Sequence, residues 1–160
     1  MITVIGIDPG LADTGLGIVR GHRRKIQRYA YGSITTSSND PLPHRLAHIY
    51  TKLLDTLKTE KPDLVVVEDV FSLKRYPTSG ITLGKVTGVI LLAAHQVGAV
   101  TKEVPVREAK QVLTGNGNAS KSQLEKAVRY LVKLDKPIKP YHASDALALA
   151  IIGLFRYGQS

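Results

Sequence analysis

At 160 residues the chain is long enough to bury one hydrophobic core and short for two. It has no cysteine, which excludes a disulfide scaffold, a thiolate-ligated zinc site and a cysteine nucleophile. A formal charge of +9 and a pI near 9.8 point to a polyanionic partner, with nucleic acid ahead of an anionic membrane surface.

Ile2 to Asp8 predicts a buried strand, because apolar residues fall on both faces and Pro9-Gly10 ends it. Thr14 to Arg20 and Ile26 to Thr35 predict two more strands, joined through the polar Gly21 to Lys25 turn as an antiparallel meander. Asp40-Pro41 opens a helix to about Glu60, with Leu46, Ile49, Tyr50, Leu53, Leu54 and Leu57 at helical spacing. Pro62-Asp63 leads into a buried strand, Leu64 to Glu68, and the polar stretch Ser72 to Ser79 follows. A helix from about Gly80 to Gln96 carries Leu83, Val86, Ile90 and Ala94 on one stripe and Gly80, Gly84 and Gly88 on another. Gly98 to Val104 is a short strand. Helices then run over Val106 to Leu113, Ser120 to Lys133 and Tyr141 to Tyr157, with a flexible turn expected at Thr114-Gly115-Asn116-Gly117-Asn118.

This order predicts a single domain over residues 1–160, of α/β class, with a mixed five-stranded sheet flanked by helices. The first and fourth strands would run parallel through a right-handed crossover. As neighbours, they would bring Asp8 and Glu68 to one sheet edge, where α/β folds build their sites. No apolar run reaches the roughly 20 residues that span a bilayer. With a strand-like segment at the start, neither a signal peptide nor a membrane association is expected. The setting expected is cytoplasmic.

Four residues carry the chemistry: Asp8, Glu68, His142 and Asp145. Singly, each has an ordinary explanation. Asp8 suits a turn before Pro-Gly, Glu68 suits a lysine pair, and Asp145 suits the first turn of a helix, where the dipole favours a carboxylate. Together, three carboxylates and an imidazole at one edge would repel one another without a cation between them. Hard oxygen ligands suit Mg²⁺, with Mn²⁺ able to substitute. In a basic protein that combination points to metal-dependent phosphodiester chemistry. The basic residues cluster as Arg20, His22, Arg23, Arg24, Lys25 and Arg28, and again as Lys133, Lys136 and Lys139. Arg23 and Arg24 fit phosphate contacts that position DNA without reading its sequence.

Gly6-Ile7-Asp8-Pro9-Gly10 with Thr14-Gly15 resembles the opening motif of the RuvC-type Holliday junction resolvases. Val67-Glu68-Asp69-Val70-Phe71 is similar to their second acidic motif. Gln111-Val112-Leu113-Thr114-Gly115 with Lys121-Ser122-Gln123 is similar to their basic region, and His142-Ala143-Ser144-Asp145-Ala146-Leu147-Ala148 to their closing helix. The match runs in order through nearly the whole chain. It implies a ribonuclease-H-like fold with three antiparallel strands then two parallel, a homodimer, and Mg²⁺-dependent symmetrical nicking of two strands at a four-way DNA junction. It also implies a branch-migration motor as partner. By position it implies Asp8, Glu68 and Asp145 as metal ligands, with about two ions per site, and His142 as a fourth ligand where other members carry Asp or His. It implies Lys121 at the scissile phosphate, Lys110 in DNA handling, and Phe71 stacking on opened bases, with Lys74 and Arg75 beside it on the DNA. It places the glycine-striped helix near the dimer interface.

Three other readings remain at this point. A relative on the same fold would cut flaps, RNA–DNA hybrids or transposon ends. The Gly6 to Gly10 segment is also similar to the phosphate loop of actin-like ATPases and sugar kinases, but those need a second nucleotide-binding half for which 160 residues leave no room. A non-catalytic junction-binding protein would not need competent ligands at all four positions.

Overall fold

The computed structural model describes residues 1–69 and 77–158. Five strands, β1 (Ile2–Asp8), β2 (Asp13–His22), β3 (Lys25–Thr35), β4 (Leu64–Glu68) and β5 (Val100–Val104), form a sheet in the order β3-β2-β1-β4-β5. The meander β1-β2-β3 is antiparallel, and β4 and β5 are parallel to β1, as the sequence predicts. Helix α1 (Leu42–Glu60) makes the crossover from β3 to β4. It lies with α2 (Pro77–Gln96) on one face, burying Ile49, Leu53, Leu57, Val86 and Ile90 against Ile5, Ile7, Val65 and Val67. On the other face sit α3 (Val106–Thr114), α4 (Lys121–Val132) and α5 (Tyr141–Tyr157), over Val4, Val19, Leu64 and Val66.

The boundaries differ from the predicted ones where local chemistry decides. Helix α1 starts at Leu42, because Pro41 keeps extended backbone at the N-cap (φ −65°, ψ 150°). Helix α2 starts three residues before Gly80, at Pro77. Gly98 belongs to the turn after α2 and not to β5, since its φ is +71°. The Gly80, Gly84 and Gly88 stripe does not touch the sheet, because a Cβ at any of them would meet nothing within 4 Å among the described residues.

Helix α5 shows the largest departure. The sequence suggests one stripe on the sheet and another bearing His142, Asp145, Leu149 and Ile152. Instead every residue from Ala143 to Leu154 is buried. Gly6, Gly15 and Gly17 on β1 and β2 let its backbone lie directly on the sheet. A Cβ at any of the three would come within 3.0 Å of backbone atoms at His142, Ala146 or Leu147. Helices α3 and α4 cover the outer side, so that stretch of α5 is buried all round and is apolar except at its first turns.

Candidate active site

The parallel pairing of β1 with β4 (Ile7 beside Val67) brings Asp8 and Glu68 out together at the C-terminal edge. Gly15, opposite Asp8 across β1-β2, removes the side chain that would hold off the first turn of α5. His142 and Asp145 descend onto the same edge. His142 Nδ1 donates to Asp8 Oδ2 across 2.7 Å. The Thr14 hydroxyl, fully buried, donates to the Gly10 carbonyl at 2.7 Å and braces the turn after Asp8. The four chemistry-bearing residues share a cleft of about 260 Å³ with Lys110, Lys121, Asp69, Pro9, Gly10, Leu83 and Val106. A larger groove of about 420 Å³ between α1 and β3 has no acidic residue in its wall, so the ionisable chemistry belongs to the smaller cleft.

Burial and mutual repulsion set the electrostatics. Burial, a hydrogen bond to Asp8, and the charges of Asp8 and Asp145 push Glu68 up to about 9, against the pull of Lys121. Burial and the Asp8 charge push Asp145 up to about 6, while Lys121, His142 and Lys110 oppose the rise. His142 is raised, first by its bond to Asp8, against its burial. Asp145 is the fifth residue of α5, outside the first turn, which holds no acidic residue, so helix capping does not explain it. As the side chains stand, no three acidic or imidazole groups among the described residues close around one point. Asp8 is instead shared between His142 and Glu68.

Lys121 opens α4 immediately after Ser120, which forms a reciprocal capping box with Gln123. A cation there sits at the positive end of the helix dipole, so its position costs the helix stability. The acidic cleft is what accommodates it. The turn before it is stitched and not loose. Gln111 donates to Gly115 O (3.1 Å) and accepts from Gly117 N (3.0 Å), and Asn116 Oδ1 accepts from Asn118 N (2.9 Å).

Arg23 and Arg24 are not brought to the cleft. The β2-β3 turn lies at the Ile2 end of β1, about 20 Å along the strand from Asp8. There the Arg24 guanidinium sits 5.3 Å from the Phe155 ring centre. Phe71, Lys74 and Arg75 lie outside the described residues. Asp69, Leu83 and Val106 also line the cleft, beyond the residues that the sequence singles out for the site. Asp69 adjoins Glu68 and was visible as a neighbour, whereas Leu83 and Val106 reach the cleft only through packing of α2 and α3.

Glu68 makes the site a measurable load on stability. Its folded value lies above its ordinary 4.5, so between about 4.5 and 9 the folded state holds a proton that the unfolded state has lost. Stability therefore falls as pH rises through that window. In EDTA at pH 8, Glu68→Gln is expected to raise stability by on the order of 1 kcal/mol, or about 2–4 °C in Tm, with a smaller gain at pH 5. Thermal melts at the two pH values check this, and equal gains would contradict it.

A five-stranded mixed sheet of this order, with carboxylates from β1, β4 and the closing helix at one edge, defines a ribonuclease-H-like nuclease. The family model for crossover junction endodeoxyribonuclease RuvC matches residues 4–153, and the chain belongs to that family. It is 38% identical over 148 residues to the enzyme of that name from Caldanaerobacter subterraneus subsp. tengcongensis, covering 92% of this chain and 89% of the relative. It is 38% identical over 154 residues to that of Syntrophomonas wolfei, covering 96% and 89%. Among solved structures it resembles T. thermophilus RuvC in complex with Holliday junction substrate, with TM-score 0.91 and 30% identity over 99% of this chain and 96% of that one.

Proposed function

We propose that this protein resolves four-way DNA junctions by nicking two strands symmetrically, with Mg²⁺ as the working cation and Mn²⁺ able to replace it. The observation that carries this is the meeting of Asp8, Glu68, His142 and Asp145 with Lys110 and Lys121 in one cleft. The donor set fits a hard divalent cation: oxygen-rich, with one imidazole, and with two carboxylates raised first by burial and then by neighbouring negative charge. Asp8, Glu68, His142 and Asp145 would hold the metal, and the Asp8 bond orients the His142 ring as carboxylates orient metal-bound histidines elsewhere. When bound, two such ions supply Lewis-acid polarisation of the phosphate and an activated water.

The chain's own residues do the rest. Glu68, raised by burial and by Asp8, would have to lose its proton to hold a cation, so protons would compete with the metal for it. Lys121 sets a positive charge against the phosphate as negative charge builds there. Water attacks phosphorus in line, and the ends left are a 5′-phosphate and a 3′-hydroxyl. Arg23 and Arg24 reach only DNA running along the flank of the sheet, a distance of about six base pairs.

Two nicks in two strands call for two copies of the site. Ile81 (63% exposed) and Leu92 (52%) flank the open glycines on α2, an apolar strip suited to a homodimer with two-fold symmetry. The chain acts as one nuclease domain, and a branch-migration motor is its proposed partner on the junction. Among the described residues, no helix is long and apolar enough to cross a membrane.

The deciding experiment incubates the protein with a mobile four-way junction, a linear duplex, a flap and an RNA–DNA hybrid, each with Mg²⁺ or EDTA. Paired nicks confined to the junction in Mg²⁺ are expected, and preferential cutting of the flap or hybrid would replace this reading with a ribonuclease-H-like alternative. Junction affinity should also fall by about 10³-fold or more between 50 and 200 mM salt, as for a footprint of several phosphates. A flat response in a filter-binding titration would refute that footprint.

A further inference from the structure

Glu125 is a carboxylate that the proposed chemistry does not use, and it is only 5% exposed. It lies in the apolar cluster of Leu124, Val128, Val132 and Ile138, where a charge is retained only with firm partners. Its Oε1 accepts the Ile138 N–H at 2.9 Å, and Arg129 Nε forms an ion pair with the same oxygen at 2.7 Å, outside hydrogen-bond alignment. Arg129 Nη1 also donates to Asp135 O at 3.3 Å. Two points of the segment between α4 and α5 are thereby tied to one turn of α4. We propose that Glu125 is a positioning residue of the nuclease site: it holds the α4–α5 segment so that Lys121, His142 and Asp145 keep their relative places.

The geometry carries this in three steps. Lys121 precedes Glu125 by four residues, so the two lie along one side of α4. Ile138, fully buried, comes four residues before His142, and Pro140 begins α5 by accepting from Ala143 N at 3.0 Å. The Ile138 N–H faces an apolar cluster and needs an acceptor there. Were stability alone at stake, a buried ion pair would be no better than well-packed apolar side chains. What an apolar side chain cannot do is receive that N–H and so set the register of the segment. The chain of connection is Lys121 to Glu125 along α4, Glu125 to Ile138 by hydrogen bond, and Ile138 to His142 and Asp145 along the backbone.

This inference rests on the proposed roles of Lys121, His142 and Asp145, and the test separates the two. Glu125→Gln keeps an acceptor for Ile138 N–H, whereas Glu125→Met keeps the volume and removes it. Single-turnover junction cleavage in Mg²⁺, junction Kd in Ca²⁺, and Tm are measured for both, beside Val132→Ala, which loosens the same cluster and leaves the clamp intact. Glu125→Met should cleave about 10- to 100-fold more slowly, the scale of a small misplacement of catalytic groups. Its Kd should be unchanged, and Glu125→Gln should cleave near the wild-type rate. Wild-type cleavage by Glu125→Met, or an equal loss in Val132→Ala at a matched Tm, overturns the proposal. If Glu125→Met does not fold, Arg129→Met takes its place: a reduced rate at unchanged Kd is expected, and a wild-type rate overturns it. If the wild type itself cuts no junction, the functional reading fails instead. The clamp is then judged by exchange of the Ile138 amide, protected in wild type and Glu125→Gln and exposed in Glu125→Met.

Discussion

In Mg²⁺, Asp145→Asn is expected to cleave a four-way junction at least about 10³-fold more slowly than wild type, at or beyond the loss seen on removing one group that stabilises transition-state charge. The change is nearly isosteric at a position 8% exposed, so the fold is preserved. It removes a charge that burial and Asp8 already disfavour, so stability is equal or slightly higher. Junction binding should survive as well. The phosphates are attracted by Lys110, Lys121 and the basic surface, and one carboxylate fewer in the cleft lessens repulsion. Gel-shift titration in EDTA with cleavage assays in Mg²⁺ would show binding kept and cutting lost. Cleavage at the wild-type rate would remove Asp145 from the site.

Gly17→Ala should lower stability by about 3 kcal/mol or more, which places it among the severe overpacking substitutions. A Cβ there would fall within 3.0 Å of Leu147 N, Leu147 Cα and Ala146 C, all backbone atoms that no rotamer change can move aside. Helix α5 would have to lift from the sheet, taking His142 and Asp145 away from Asp8. Both stability and cleavage are therefore expected to fall. Gly32→Ala on β3, where a Cβ meets nothing within 4 Å, is the control and should be nearly silent. Circular-dichroism melts of the two variants decide the matter, and a Gly17→Ala melt within a degree or two of wild type would refute direct backbone contact.

The elements were largely readable from local pattern. Strand β1 is apolar on both faces because both faces are covered, and α1 shows a helical stripe because only one of its sides is. The positions of Asp8 and Glu68 at strand ends, together with the parallel crossover, were enough to anticipate their meeting. The partner of Asp8 was not legible, since the 2.7 Å bond to His142 joins residues 134 apart in the chain. Nor was the distance of Arg23 and Arg24 from the cleft: a hairpin turn is recognisable in sequence, but which end of the sheet it occupies depends on strand pairing.

By itself, then, the sequence determined the order of strands and helices, the basic charge that suits a polyanion, and the residue types able to hold a hard cation. Each of these is a local or summed property of side chains. Only the tertiary structure decided that Gly6, Gly15 and Gly17 seat α5 on the sheet, that Lys121 faces the acids, and that Glu125 ties α4 to the approach to His142. Those outcomes depend on which distant surface covers each residue. A periodic pattern marks a face as buried without saying what buries it, and hydrogen-bond register and close backbone approach settle that only when the whole chain is folded.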